Sequence, residues 1–521
     1  MNAATKDPIE RLSHSPAVLP ARIVPRAIAP ATWMDGAAIL IMALTAVRWA
    51  VATATGLSDT EAYYASWSRV LALSYYDHPP LVAWSNWLFS RLGGGAAWVR
   101  VGPILYAAAF DALLYRLTSR LFSSRAGFFA VAIVAATPVF FFTGFLLNPE
   151  ALLAPLWVLF LLLLVDLRDH DERWRPLAIG AVVGVAFLAK YTAILALPVA
   201  LLAVATSAES RRWLRRPSFY FAGVVALVIT APVVAWNALH GWPSLQLHLA
   251  DRMSRAAGES LAAALWRVGS AQLLYFHPVL SPAFAGVLGY ALWHARRDAR
   301  YRLIAVASLP VLAFLLTMMV RAGDSEPHWT MVGYVPLIVG AAGVLDESTG
   351  ALQRTAQWLF RVSLVVSAVV LVAYAFHLRS PALAKALPEY NPVADPLTET
   401  LGWDRVSAAV AAHASHLGPG AVAAAAHNVL CGHLQLAVDD APHVYCPSPR
   451  RTEFDFIARR SPPADVSVVF VDSDRYRADV VASLPDHTCG PVIDDVVVDR
   501  TGLVVERYHL RDCAPRNQVA P

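Results

Sequence analysis

From about residue 34 to residue 376 the chain alternates long apolar runs with short breaks rich in Arg, Pro and Asp. About 20 consecutive apolar residues cross a hydrocarbon layer of roughly 30 Å. Backbone polar groups in lipid must bond within their own segment, so each run reads as a helix. The runs predict about eleven spans, at 34–54, 99–120, 126–146, 149–166, 176–190, 191–208, 218–236, 268–293, 303–320, 331–346 and 358–376. Two pairs of them abut so closely that each joint must be a tight turn. The fold class is a polytopic α-helical membrane protein.

After residue 395 the pattern changes. An Ala-rich helical stretch following Trp403 gives way to short β-type runs such as VSVVFVD (466–472) and GLVVERYHL (502–510), so residues 395–521 read as a small α/β domain. A proline-punctuated linker at 379–396 joins it to the membrane domain, 34–376. Residues 1–33, with five prolines, read as a disordered cytoplasmic arm. The first apolar run contains Arg48 and is followed by further spans, so it reads as a retained helix and not a cleaved signal.

Composition agrees with this class: 57% of residues are hydrophobic and 15% charged, with a mean hydropathy of +0.49, against about 25% charged in soluble domains. The placement of arginine is more informative than the net charge of +4. Loops on one side carry clusters such as Arg168, Arg173 and Arg175, then Arg211, Arg212, Arg215 and Arg216, then Arg296, Arg297, Arg300 and Arg302. The opposite loops carry only scattered ones: Arg69, Arg91, Arg252, Arg255 and Arg321. This bias puts the N-terminus in the cytoplasm, and an odd number of spans puts the tail outside. All four cysteines (Cys431, Cys446, Cys489 and Cys513) lie in that tail, which fits disulfides in an oxidising compartment. Of the three pairings, Cys431–Cys446 with Cys489–Cys513 is the one expected. No Gly-rich phosphate loop, nucleophile elbow or basic-aromatic stripe is present, so nucleic acid is not an expected partner.

Three segments on the outer side concentrate ionisable and aromatic residues. Residues 57–89 hold Asp59, Glu61 and Asp77 among Tyr63, Tyr64, Tyr75 and Tyr76. An Asp77-His78 pair fixed before Pro79-Pro80 can hold a metal, orient a hydroxyl or neutralise a phosphate. Glu150 follows Asn148-Pro149 at the start of a span, where a helix N-terminus favours an acid. Lys190 stands alone at an apolar joint, and His328-Trp329 opens the tenth span. Ionisable groups at such depths are functional candidates, while the aromatic residues also suit an interfacial belt.

Taken together, TEAYYASWSRVLALSYYDHPPLVAW (60–84), NPEALLAPLWVLFL (148–161), FLAKYTAILALP (187–198) and EPHWTMVGYVPL (326–337) resemble the bacterial polytopic glycosyltransferases of the GT-C superfamily. The likeness is greatest to the branch shared by protein O-mannosyltransferases and the lipid A aminoarabinose transferase, and it covers most of residues 57–345. It implies inverting transfer of a sugar from a polyprenyl-phosphate donor to an envelope acceptor at the outer face of the bacterial inner membrane. The acceptor would be lipid A or core glycolipid, another lipid, or a protein. In the family the first outer loop carries an adjacent Asp-Glu pair; here Thr60 precedes Glu61, and Asp59 lies one residue earlier. The resemblance makes Glu61 the expected base for the acceptor hydroxyl, with Asp59 or Asp77 orienting it or holding a cation. The positive contact to the donor phosphate falls to His78, Lys190 or Arg69, with His328 beside them. Tyr63, Tyr64, Tyr75, Tyr76, Glu150 and Trp329 are expected to line the substrates. A divalent metal on Asp77 and His78 is the candidate cofactor. A transporter of a lipid-linked or polar solute and a non-catalytic envelope scaffold are the competing classes; the aromatic-acidic loop and the cysteine-bearing tail speak against transport.

Overall fold

The computed structural model describes residues 32–252, 258–322, 325–387, 389–437, 444–457 and 459–516, so residues 1–31 of the expected arm lie outside it. Among the described residues seven helices are long and apolar enough to cross a membrane: Thr32–Ala54, Ala96–Leu121, Pro149–Asp169, Pro217–Leu239, Ala299–Arg321, Pro327–Glu347 and Gly350–Arg379. They follow seven of the expected spans.

The other four differ from their expectation, each for a local reason. The run expected at 268–293 is two helices, Leu261–Phe276 and Leu280–His294, bent by 101°. Pro278 disfavours helical backbone at His277, and the His277 ring then caps the second helix, its Nδ1 accepting from the N–H groups of Val279 and Leu280. The run at 126–146 stops at Ala135 because Pro138 has no N–H to continue it; a short helix, Pro138–Thr143, follows. The runs at 176–190 and 191–208 are shorter apolar helices, Trp174–Ala189 and Tyr191–Thr206, parted by Lys190 in extended conformation. Lys190 is thus set at a backbone break, which frees its side chain to reach across to a neighbouring helix.

Membrane helices lack a hydrophobic drive towards each other and pack through small residues. Gly180 illustrates this: a Cβ there would lie 2.1 Å from the Ala222 carbonyl oxygen of the adjacent helix. Between the first two long helices, Arg48 donates to Asp111 at 2.9 Å, both side chains being fully buried.

The C-terminal module carries a mixed sheet of β1 (Val422–Ala424), β2 (Val444–Tyr445), β3 (Val468–Ser473), β4 (His487–Cys489), β5 (Asp494–Asp499) and β6 (Val504–Pro515). The order is β2-β1-β3-β6-β4, with β5 also on β6. The β1 strand is parallel to β2 and β3, whereas β6 runs antiparallel to its partners. Helix Trp403–Leu417 packs Val406 and Val410 inward. The disulfides are Cys431–Cys446 and Cys489–Cys513. The first anchors a second helix, Asn428–Ala437, to β2.

This module helix is what joins the module to the membrane part. It lies against a short helix of the loop after the first long helix, Asp59–Trp67, which opens with a capping box of Ser58 and Glu61. The two approach so closely that a Cβ on Gly432 would sit 2.8 Å from the Tyr63 Cα. Glycine is required there for contact, not for conformation.

Candidate functional site

The loop helix divides the expected site residues into two clusters. At its N-terminus Glu61 is 1% exposed, and both of its carboxylate oxygens are taken. Arg100 donates to them from Nε (2.8 Å) and Nη2 (2.6 Å), Leu147 from its backbone at 3.1 Å, and Ser58 from its backbone at 3.0 Å. Arg100 spends its remaining protons on the carbonyls of Ala52, Thr55 and Gly56. This is a charge-assisted clasp joining the first long helix, the loop and the second long helix. A carboxylate held bidentately in such a clasp has no oxygen to offer an acceptor hydroxyl, so the geometry argues against Glu61 as the base.

Asp59 is equally occupied. Its Oδ1 is 3.1 Å from His433 Nε2, and its Oδ2 accepts from the Tyr476 hydroxyl at 2.8 Å. Trp403 stacks on the His433 ring at 3.7 Å, closing that side. Asp59 thus faces the module.

The second cluster lies where the loop turns back to the membrane. Asp77 is half-buried and accepts from the Tyr63 hydroxyl at Oδ2, 2.7 Å. His248 approaches its backbone oxygen at 2.9 Å, and the His248 and His78 rings lie 6.1 Å apart. His78 is buried, with an edge-on Tyr64 ring at 5.6 Å. Burial, then the charges of Lys190, His248 and Arg252, hold the His78 imidazole well below its ordinary range. Burial likewise pushes His248 down to about 3. Burial thus disfavours the charged form of both rings, which makes His78 a poor cation for a phosphate.

Positive charge comes instead from Lys190 and Arg252. Lys190 donates to Glu150, whose Oε1 also lies 3.0 Å from His328 Nε2. The Lys190 ammonium is 6.0 Å from the Trp329 ring centroid and the Arg252 guanidinium 5.2 Å from it. Glu150 is placed by the Asn148 cap, which accepts from the Ala151 N–H at 2.9 Å. Two buried nitrogens here, His78 Nδ1 and Arg252 Nε, have no hydrogen-bond partner among the described residues. Such groups are costly to bury and suit a polar ligand that supplies the missing bonds.

Other expected members fall elsewhere. Arg69 is exposed and donates to the Leu436 carbonyl of the module helix. Tyr75 is fully buried, stacked on Trp67 at 4.9 Å, with its hydroxyl bonded to the backbone at Val70 and Ala72. Tyr76 stacks on Phe456 of the module at 5.5 Å. Among the described residues no three His, Cys, Asp or Glu side chains form a group able to hold a metal ion, so Asp77 and His78 have no third ligand of that kind there.

Comparison with known proteins gives these positions a context. The family model described as dolichyl-phosphate-mannose-protein mannosyltransferase matches residues 77–236, a stretch that begins at Asp77 and includes Glu150 and Lys190. The lipid A galacturonosyltransferase RgtD of Rhizobium johnstonii is 28% identical over 304 residues. That alignment covers 54% of this chain and 59% of the relative, so the chain spans less than two thirds of the curated relative it matches. The crystal structure of ArnT from Cupriavidus metallidurans in the apo state superposes with a TM-score of 0.61 at 17% identity, over 94% of this chain and 99% of that one. The ArnT structure bound to undecaprenyl phosphate gives 0.59 at 17% identity, over 95% and 100%. The chain thus shares the ArnT fold and is similar over part of its length to glycosyltransferases of the GT-C superfamily.

Several residues of these clusters escaped sequence reasoning. Arg252 and His248 lie in the short helical stretch that starts at Pro243, and Arg252 stood out only as one of the scattered arginines of the less basic loops. Arg100 carried a usable signal, a lone cation in the apolar run AAWVRVGPIL (96–105). Glu453, His433 and Tyr476 carried none, because the module meets the loop only through the tertiary fold.

Proposed function

We propose that the chain is an inverting glycosyltransferase that moves a sugar from a polyprenyl-phosphate donor to an envelope glycolipid at the outer face of a bacterial inner membrane. The observation that carries this reading is the cluster in which the Asp77-His78 turn meets His248, with Lys190 and Arg252 in electrostatic reach of His78 and both beside Trp329. In this reading residues 34–376 are the membrane-bound catalytic domain, and 395–521 are a domain outside the cytoplasm, with the N-terminus inside.

The roles follow from charge. Asp77 takes the proton of the acceptor hydroxyl as its oxygen attacks the anomeric carbon from the face opposite the phosphate. The bond from the anomeric carbon to the phosphate oxygen breaks, and the electron pair leaves with polyprenyl phosphate. Lys190 and Arg252 stabilise that growing negative charge, with Glu150 and His328 holding the lysine in place. Tyr64 and Trp329 present aromatic faces to the sugar. RgtD is named for lipid A, and one ArnT structure contains undecaprenyl phosphate, which supports a lipid A-type acceptor and that class of donor here.

Mass spectrometry of envelope glycolipids from cells with and without the protein tests the reading. A glycolipid that gains one sugar mass only when the protein is present is expected. Unchanged glycolipids, with no donor consumed by the purified protein in vesicles, would overturn it.

A further inference from the structure

The module touches the Asp77 turn at two points that a passive cover does not need. The backbone N–H of Glu453 donates to the Tyr63 hydroxyl oxygen at 3.0 Å. The Glu453 carboxyl accepts the Tyr76 N–H at 2.6 Å. An N–H group can only donate, so the Tyr63 oxygen must accept there. Its single proton is then directed to Asp77 Oδ2, 2.7 Å away. The chain of bonds runs Glu453 N–H, Tyr63 O–H, Asp77 carboxylate.

Packing fixes this path. Tyr63 is 5% exposed and meets Trp67 edge-on at 5.2 Å. Phe454 stacks on it from the module side at 6.4 Å, and Gly432 touches its backbone. The charged and titratable groups facing Tyr63 are Asp77 and Glu453. Those around the adjoining turn are His78, His248, Arg252, Lys190 and Glu150.

We propose that the outer module is a working part of the site: through the Tyr63 hydroxyl, its Glu453 turn and module helix set the orientation and basicity of Asp77. This rests on the reading of Asp77 as the base. A hydroxyl that donates to a carboxylate favours its ionised form, the form that accepts a proton. Tyr63 and Glu453 are positioning residues, since each acts through Asp77. Tying the module to the loop makes activity conditional on a docked module.

Tyr63→Phe keeps the ring and removes only the hydroxyl. A hydrogen bond to a charged group is commonly worth 1.5–3 kcal/mol, so kcat should fall about tenfold or more. The acid limb of the pH–rate profile should move up by roughly one pH unit, with melting temperature and donor KM little changed. Gly432→Ala, which pushes the module helix off the Tyr63 backbone, should give the same acid-limb shift although Tyr63 is intact. Both are measured in the full-length protein in vesicles, beside Asp77→Asn. If Asp77→Asn abolishes transfer while Tyr63→Phe leaves the acid limb in place, the positioning role is overturned and the base reading stands. If Asp77→Asn transfers normally, the base reading falls, and this proposal with it.

Discussion

The N-terminus of the loop helix and the Asp77 turn beyond its C-terminus both carry carboxylates among polar and charged groups, yet the two differ in how far they satisfy themselves. Around Glu61 each carboxylate oxygen has a donor, and Arg100 is fully committed to the carboxylate and to backbone carbonyls. At the turn, the His78 and Arg252 nitrogens lack partners and two cations share one tryptophan face. A saturated ion pair is a fastener, and an incomplete one is where a ligand can enter. Carboxylates of one loop, set among the same aromatic residues, are thus told apart by their partners and not by their neighbours in sequence.

That contrast breaks most sharply at Asp77 and Glu61. Asp77→Asn should lower kcat by about 10²- to 10⁴-fold, the usual contribution of a positioned base, while thermal unfolding stays near wild type. Glu61→Gln should do the reverse. Removing one partner of a buried pair commonly costs about 3–5 kcal/mol, because the other charge stays buried. Yield and melting temperature should therefore drop, with near-normal turnover per folded molecule. A Glu61→Gln enzyme that melts normally but does not turn over would exchange the two roles.

A smaller effect sharpens the second cluster. Arg252→Gln should raise donor KM by about tenfold, corresponding to the loss of one charged hydrogen bond. Arg69→Gln should leave donor KM unchanged, since Arg69 lies against the module helix. Equal effects from both would mean that the two arginines act only through diffuse attraction.

Much of this was legible in the sequence and some was not. Hydropathy located the long helices because lipid imposes one rule on every span. It failed at 126–146, 190–191 and 268–293, where a proline or an extended residue breaks an otherwise unbroken apolar run. Such breaks alter no hydropathy average, but one of them is what points Lys190 at Glu150. The candidate list contained Asp77, Lys190, Glu150, His328 and Trp329, yet it ranked Glu61 first. A capping box and a buried arginine 39 residues away decide the fate of Glu61, and only folding brings that arginine to it. The surroundings of His78 were hidden for a similar reason, since burial beside cations is a property of the fold.

The smallest expected effect concerns the seam between the module and the loop. Glu399, in the turn Thr398–Thr400, accepts the Asp59 N–H at 3.3 Å and lies 3.1 Å from Arg475. Burial, and next the charge of Asp59, push its carboxyl up to about 7, with Arg475 pulling the other way. The folded state therefore binds this proton more tightly than the unfolded chain, whose glutamates titrate near about 4.3. Stability from Glu399 is complete below that value and is lost as pH rises through about 7. Burial also raises Glu506 and Glu453, giving the same sign, whereas buried His433 is lowered and weakens the seam as pH falls. The wild-type profile is thus a composite, and the difference from Glu399→Gln isolates one group. The variant cannot ionise, so its melting temperature should gain on wild type between pH 5 and pH 8, by a few degrees on the scale of a small domain. A difference that stays constant across that range would mean that Glu399 does not titrate there and that the seam is held by Arg475 alone.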